Sequence, residues 1–148
     1  MLDIREDGTM HRMRRRAPRW AHAWPNAINH AKDAADLIPW LKEAPQEVFA
    51  VVACDGGNHP LRVFAATIGL IDQNQVHPRE VFAPVIEERA ASIICIHNHP
   101  SGSTNPSPED IALTSRLCRA GELLGIRVLD HVIVTKDAVV SMKSLGHC

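Results

Sequence analysis

The sequence contains no tyrosine and only three phenylalanines, and its 148 residues carry a formal net charge of only -1. Proteins that work mainly by binding nucleic acid are usually far more basic, so this class is disfavoured for the chain as a whole. No apolar run approaches the ~20 residues that a membrane-spanning helix needs, so no membrane association is expected. A chain of this length can bury a substantial core but is too short for two ordinary domains.

The four cysteines include no CxxC pair, which excludes a zinc ribbon and a thioredoxin-like motif. Cys54 and Cys95 lie within apolar runs, where a free cysteine behaves as a small buried apolar residue. The basic run near the N-terminus is not followed by an apolar stretch of signal-peptide length. Together these features predict a cytoplasmic protein with reduced cysteines.

Charge is distributed unevenly along the chain. Residues 1–24 hold six arginines against three acidic residues, whereas the rest of the chain is net acidic. The first ~25 residues also lack hydrophobic periodicity, so we expect a flexible basic arm over 1–28 and a folded domain over 29–148. The arm could contact an acidic partner such as nucleic acid, or it could be only a solvated tail.

From residue 30 onward, apolar runs of strand length alternate with amphipathic segments of helical length. Strands are predicted over 47–54, 61–67, 91–96, 126–135 and 138–142, the first two as a hairpin. Helices are predicted over 31–43, 78–90 and 108–125, the first limited by Pro39. The last helix is expected to bury a stripe formed by Ile111, Thr114, Leu117, Cys118, Gly121 and Leu124. This order predicts an α/β (α+β) fold in which helices flank a mixed β-sheet.

Two of the nine histidines directly follow a predicted buried strand, in the segment His97-Asn98-His99. Side chains two residues apart after a strand can point the same way. Asp110 comes eleven residues after His99, and the polar turn between them can bring the start of the long helix back over the histidines. Two imidazoles and one carboxylate are a common ligand set for catalytic zinc, with the fourth position left for water.

These residues also have a simpler explanation. Ser107, Pro108 and Asp110 form a good helix start, with Ser107 as the N-cap and an acidic residue at the third helical position. A single histidine at a strand end is commonly a structural hydrogen-bonding residue. Spacing alone therefore leaves a capped helix open beside a metal site, although the paired histidines favour the metal site.

The spacing His97-x-His99-x7-Ser107-x2-Asp110 matches the motif of JAMM (MPN+) metalloproteases. Four longer segments resemble the RadC-like family, namely 76–82 (VHPREVF), 97–102 (HNHPSG), 106–110 (PSPED) and 129–133 (LDHVI). The resemblance covers about residues 45–143 and implies the JAMM/MPN fold, which is related to that of cytidine deaminases. Long RadC-like proteins also carry an N-terminal helix-hairpin-helix region, and we expect this chain to correspond to the catalytic domain alone.

The resemblance implies a Zn²⁺ ion held by His97, His99 and Asp110, in a hydrolase that cleaves peptide or isopeptide bonds of a peptide or protein substrate. It also implies that the Ser107 hydroxyl donates to the developing oxyanion, and that a glutamate on the first strand moves a proton from the attacking water to the leaving amine. Glu47 is the candidate for this glutamate because it opens the strand predicted over 47–54. The alternative for Glu47 is a solvated residue at a strand start.

Asp130 and His131 belong to the last matching segment. We interpret them either as structural residues or as supports of the metal ligands, with Asp130 as a partner for the second nitrogen of an imidazole.

Three other classes of protein compete with a JAMM hydrolase as interpretations of the sequence. The DNA-repair name of the family suggests a nucleic-acid-associated protein without protease activity, which only the arginine-rich arm supports. A zinc-dependent deaminase would need H-x-E with a later P-C-x-x-C, and a zincin would need HExxH, and neither pattern occurs. A homodimer is expected only because small domains often pair.

Overall fold

The computed structural model describes residues 2–5, 8–12, 24, 26–69 and 76–148. Within these residues, seven strands form one mixed sheet in the order β2-β1-β4-β3-β5-β6-β7. The strands are β1 (Leu2–Ile4), β2 (Met10–Arg12), β3 (Val48–Cys54), β4 (Pro60–Ile68), β5 (Ser92–Asn98), β6 (Arg127–Val134) and β7 (Val139–Ser141). The helices are α1 (Ala31–Asp36), a 3-10 helix (Pro39–Glu43), α2 (Pro78–Glu87) and α3 (Pro108–Leu124). The predicted α/β fold with a mixed sheet flanked by helices is confirmed.

The strands and helices after residue 30 lie where the hydrophobic pattern predicts them, with small shifts at their ends. The first predicted helix is interrupted at Pro39, as expected for a residue that lacks a backbone N–H and restricts the residue before it. Helix α1 ends at Asp36, and the 3-10 helix begins at Pro39 itself. Among the described residues, no helix has both the length and the apolar character required to span a bilayer.

Strand β3 lies in the middle of the sheet, and all seven of its residues are buried. Its side chains alternate between the two faces of the sheet, as the pleat requires. Phe49, Val51 and Ala53 pack against residues of α2 and α3, whereas Ala50 and Val52 pack against α1 and the 3-10 helix. The domain therefore has three layers, with apolar cores on both sides of the sheet.

Strands β5 and β6 are parallel neighbours, and α3 forms the connection between them. A crossover of this kind returns the chain along one face of the sheet, so the start of α3 lies near the carboxyl end of β5. In α/β sheets, ligands commonly bind at the carboxyl ends of strands. The topology thus places the residues after β5 and those at the start of α3 at the same edge of the sheet.

The buried face of α3 differs from the predicted stripe. Three predicted members are buried, namely Thr114, Leu117 and Gly121. The prediction was wrong for Leu124, which is 48% exposed, while Ile111 and Cys118 are half-buried and the unpredicted Leu113 is buried. At Gly121 the helix lies close to the chain that leads into β6, because a Cβ there would lie 2.3 Å from the carbonyl oxygen of Ile126. Leu124 is the last residue of α3, directly before the left-handed Gly125 at which the helix ends.

The N-terminal segment contributes two strands that the sequence pattern did not predict. Strand β1 pairs antiparallel with both β4 and β2, and Asp3 forms an ion pair with the buried Arg62 at 2.7 Å. Both strands lie within the segment that was expected to be a flexible arm, and with three residues each they are too short to show alternation. Residues 13–23, which hold most of the arginines of the arm, lie outside the described residues. The boundary at residue 28 stays a prediction.

Candidate metal centre

The three predicted metal ligands come together at the carboxyl end of β5. His97 is the next-to-last residue of β5, His99 follows the strand, and Asp110 lies in the first turn of α3. Nε2 of His97 lies 2.7 Å from Nε2 of His99. Each of these nitrogens lies 3.2 Å from one carboxylate oxygen of Asp110. The ligating atoms therefore converge on one point, all within 4.8 Å of one another.

The start of α3 holds the Asp110 carboxylate in place. The Ser107 hydroxyl oxygen accepts a hydrogen bond from the Asp110 backbone amide at 3.1 Å, and Oδ2 of Asp110 accepts one from the Ser107 amide at 2.7 Å. This capping box is the simpler explanation that the sequence offered for both residues. The two explanations coexist, because the capping carboxylate also faces both histidines.

The charges at the site reinforce one another. Burial would by itself raise the pKa of the Asp110 carboxyl, but His97 and His99, whose ring nitrogens face the carboxylate, outweigh this effect and hold that pKa well below its usual range. The hydrogen bond to Asp110 raises the pKa of His99, although burial opposes this. An ionised carboxylate and two imidazoles aimed at it form a donor set suited to a cation.

Both imidazoles have a partner on Nδ1, the ring nitrogen that points away from the convergence point. Nδ1 of His99 donates to the backbone carbonyl of Ser103 at 2.8 Å. Nδ1 of His97 lies 2.7 Å from Nε2 of His131, whose side chain is buried. Partners of this kind orient a metal-binding imidazole and leave Nε2 to the metal.

Of the two interpretations of Asp130, the structural one fits, because its carboxylate contacts no imidazole of the described residues. Its carboxylate accepts hydrogen bonds from the backbone amides of His131 and Lys143 and from the hydroxyl of Ser141. The supporting residue is its neighbour His131, because adjacent side chains of a strand point to opposite faces. Burial lowers the pKa of His131 well below its usual value, and the adjacent His97 adds to this effect, so the neutral form of the His131 ring is favoured.

Glu47 immediately precedes β3 and is half-buried. In the antiparallel pairing of β3 with β5, Phe49 lies opposite His97. Extending this register by two residues places Glu47 opposite His99 and on the same face of the sheet as His97. The negative charge of Glu47 also contributes to the raised pKa of His99, which agrees with this placement. The role of Glu47 in proton transfer stays a prediction.

Ser107 lies directly beside the candidate ligands as the N-cap of α3. Its hydroxyl oxygen is the acceptor in the capping bond. A hydroxyl can accept and donate at the same time, so capping does not consume the Ser107 proton. The oxyanion role of Ser107 is compatible with this geometry and stays a prediction.

Sequence reasoning did not find the roles of two buried polar residues beside the ligands. Asn98 lies between the two histidines and is 2% exposed, while Thr114 lies one turn after Asp110 and is 1% exposed. The sequence signal that could have identified them is a polar residue within an otherwise apolar strand or helix stripe, because such a residue needs a hydrogen-bond partner when buried. Their partners, however, include Val48 and His131, which lie 50 and 17 positions away in the sequence.

A mixed sheet between helices, with two histidines and an aspartate at one strand end, defines an α/β domain with a candidate metal centre. Residues 28–147 match the family model of the RadC-like JAB domain. The chain therefore belongs to the RadC-like JAB domain family.

Proteins of known sequence agree with this membership. The chain is 52% identical over 107 residues to a UPF0758 protein of Methanospirillum hungatei, covering 72% of this chain and 48% of that protein. It is 42% identical over 120 residues to a UPF0758 protein of Shouchella clausii, covering 80% and 52%. A UPF0758 protein of Trichlorobacter lovleyi is 47% identical over 106 residues, covering 72% and 46%. The chain thus spans about half the length of these relatives, whose names state no activity.

Proposed function

We propose that this chain is a zinc-dependent hydrolase of the JAMM type, which cleaves peptide or isopeptide bonds. The observation that carries the proposal is the convergence of His97 Nε2, His99 Nε2 and the Asp110 carboxylate at one point. Ser107, the N-cap of α3, accepts a hydrogen bond from the Asp110 amide, and the register between β3 and β5, extended by two residues, puts Glu47 opposite His99. A helix cap alone requires neither of the two histidines.

The distances at this point suit zinc. With metal–ligand bonds of about 2.0–2.1 Å in a tetrahedral site, two ligating atoms lie about 3.3 Å apart. Both histidine–aspartate separations are 3.2 Å. The two histidine nitrogens, at 2.7 Å, would move apart by about 0.6 Å. Three protein ligands would leave a fourth position for the substrate or for water, as in catalytic zinc sites.

The reaction follows from the chemistry of the surrounding side chains. Bound zinc would supply a Lewis acid and would lower the pKa of a coordinated water to about 7. Glu47 would accept a proton from the attacking water and would deliver it to the leaving amine. The Ser107 hydroxyl would donate a hydrogen bond to the carbonyl oxygen as that oxygen gains negative charge. Asp110, which stays ionised, would balance the positive charge held at the site.

The substrate class follows from the proposed reaction, since both peptides and isopeptides contain an amide carbonyl and an amine leaving group. We place the reaction in the reducing cytoplasm, where the buried thiols of Cys54 and Cys95 serve as apolar core residues. Contact of the arginine-rich arm with nucleic acid, and pairing into a homodimer, stay predictions.

The first test is the zinc content of protein purified without a histidine tag. We expect one zinc ion per chain in the wild type, and loss of the ion in both His99→Ala and Asp110→Ala. His59→Ala is the matched control, because His59 is an exposed histidine in the turn between β3 and β4. Wild-type protein without zinc under conditions of zinc excess would contradict the proposal.

The second test is cleavage of quenched fluorescent peptides and of peptides joined through a lysine side chain. We expect Glu47→Gln to retain zinc and to lower kcat by about 10²–10⁴-fold, the contribution typical of a general base. Undiminished cleavage by this variant would contradict the role of Glu47 while leaving the metal centre intact.

A further inference from the structure

A buried hydrogen-bonded link connects two of the candidate ligands through two residues that do not face the metal position. Nδ1 of His97 lies 2.7 Å from Nε2 of His131, and Nδ1 of His131 lies 2.5 Å from the Thr114 hydroxyl. This hydroxyl donates to the backbone carbonyl of Asp110 at 2.7 Å. His131 and Thr114 are each 1% exposed, so water does not compete for these bonds.

The direction of each bond in this link is determined from the Thr114 end. A threonine hydroxyl has one proton, and the carbonyl of Asp110, one helical turn earlier, accepts it. The sulfur of Met142, at 3.7 Å, is a weaker acceptor. Toward His131, the Thr114 oxygen can therefore only accept, so a neutral His131 carries its proton on Nδ1.

The remaining bonds follow from this arrangement. His131 Nε2 then has a lone pair and accepts a hydrogen bond from Nδ1 of His97. With its proton on Nδ1, a neutral His97 has its own lone pair on Nε2, the nitrogen that faces His99 and Asp110. In the reverse arrangement, the His97 proton would occupy Nε2 and exclude a metal ion from it.

We propose that Thr114, acting through His131, is a positioning residue that selects the metal-binding tautomer of His97. This inference rests on the proposed metal centre and adds two residues to it. It differs from simple satisfaction of buried polar groups, which predicts a loss of stability but no specific loss of zinc affinity when the Thr114 hydroxyl is removed.

The test compares a variant that lacks the Thr114 hydroxyl with one that retains it. Thr114→Val keeps the shape of the side chain and removes the hydroxyl, whereas Thr114→Ser keeps the hydroxyl and removes a methyl group. We expect zinc affinity, measured by competition with a chromophoric chelator, to fall about 10–100-fold in Thr114→Val, as for other residues that orient metal ligands. Thr114→Ser should bind zinc nearly as tightly as the wild type.

Thr135→Val is the matched control, since Thr135 is a buried threonine whose hydroxyl bonds Ala138 rather than a ligand. Its zinc affinity should equal that of the wild type. A second measurement needs no variant. ¹⁵N-histidine NMR of the wild type reports which nitrogens of the His131 ring carry a proton. We expect the neutral ring with its proton on Nδ1, with and without zinc.

The outcomes separate this inference from the proposed function. Normal zinc affinity of a folded Thr114→Val, or a His131 proton on Nε2, would overturn the role of Thr114 while leaving the metal centre in place. Failure of the wild type to bind zinc would instead contradict the proposed function and, with it, any role of the link in metal affinity.

Discussion

The side chain of Asn98 accepts a hydrogen bond from the backbone amide of Val48 at 2.8 Å, and both residues are buried. The amide nitrogen of Asn98 donates to the backbone carbonyls of Gln46 and Ala44 at 3.0 and 3.3 Å. Asn98 thus holds the chain on both sides of Glu47, while its own neighbours in sequence are the candidate ligands His97 and His99. One side chain links the histidine segment to the segment that carries the predicted general base.

We expect Asn98→Ala to lower the free energy of unfolding by about 1–3 kcal/mol, because it leaves the buried Val48 amide without its acceptor. Urea denaturation of the metal-free protein measures the change, and hydrogen exchange at the Val48 amide should become faster. Asn105→Ala, at an exposed position in the loop before α3, should change stability by less than about 0.5 kcal/mol. Equal losses in the two variants would argue against the structural role of Asn98.

The sequence predicted those site residues whose position can be inferred from their immediate neighbours in the chain. His97 and His99 end an apolar strand, and Asp110 begins a helix with a capping pattern, so each could be placed from its neighbours in sequence. The family resemblance was needed for the role of Glu47, because its proximity to His99 depends on the register between β3 and β5.

The sequence pattern could not predict that His131 and Thr114 support His97, and the reason is different. Thr114 fits the apolar stripe of α3 equally well as a packing residue, and its contact with His131 appears only when α3 lies on β6. The sequence left Asp130 and His131 open as structural residues or as supports, with Asp130 as the possible partner of an imidazole because carboxylates often take that role. The pleat of β6 decides between the two residues, since only one of two adjacent side chains can face α3.

The close approach of α3 to the sheet gives a prediction about Gly121. In a solvent-exposed helix interior, replacing glycine by alanine is stabilising by about 1 kcal/mol. At Gly121 the added Cβ would lie 2.3 Å from the Ile126 carbonyl oxygen, so the helix would have to move away from the chain that leads into β6. We expect Gly121→Ala to destabilise the protein by about 1–3 kcal/mol in urea denaturation, as for other overpacked sites.

Ala112→Gly provides the comparison, because Ala112 is exposed on the same helix and should follow propensity alone. It should lose about 1 kcal/mol. A stabilised Gly121→Ala would mean that α3 is not as close to the sheet as described.

The ion pair between Asp3 and Arg62 predicts how the N-terminal strand is attached. The Arg62 side chain is 3% exposed and bonds both carboxylate oxygens of Asp3, at 2.7 and 3.1 Å, as well as Glu88 at 3.2 Å. Asp3→Ala removes two charge-assisted bonds to a buried guanidinium, and we expect it to cost about 1.5–3 kcal/mol of stability. Limited proteolysis should then cleave the N-terminal segment faster.

Asp137→Ala removes an exposed carboxylate far along the chain and should leave both the stability and the proteolysis rate unchanged. If Asp3→Ala behaved like Asp137→Ala, the first strand would contribute nothing measurable to the fold.

The four cysteines differ in predicted reactivity, because Cys118 and Cys148 share a hydrogen bond between their sulfurs whereas Cys54 and Cys95 are buried. Its sulfur lies 3.3 Å from that of Cys148, and this hydrogen bond, against the effect of burial, lowers the pKa of Cys118 to about 7. The same bond raises the pKa of Cys148. Burial raises the pKa of Cys54 to about 12 and also raises that of Cys95. Since the thiolate is the reacting species, Cys118 should react first and at the lowest pH.

Alkylation by iodoacetamide, followed by peptide mass spectrometry across pH ~6–9, should therefore show a midpoint near pH 7 for Cys118, below the ~8.5 of an ordinary thiol. In Cys148→Ala the donor to the thiolate is lost, so the midpoint for Cys118 should move to higher pH. Cys54 and Cys95 should stay unmodified while the protein is folded, which makes them internal controls. An unchanged midpoint in Cys148→Ala would show that the two sulfurs are not hydrogen-bonded in solution, and that the segment after β7 does not pack against α3 as described.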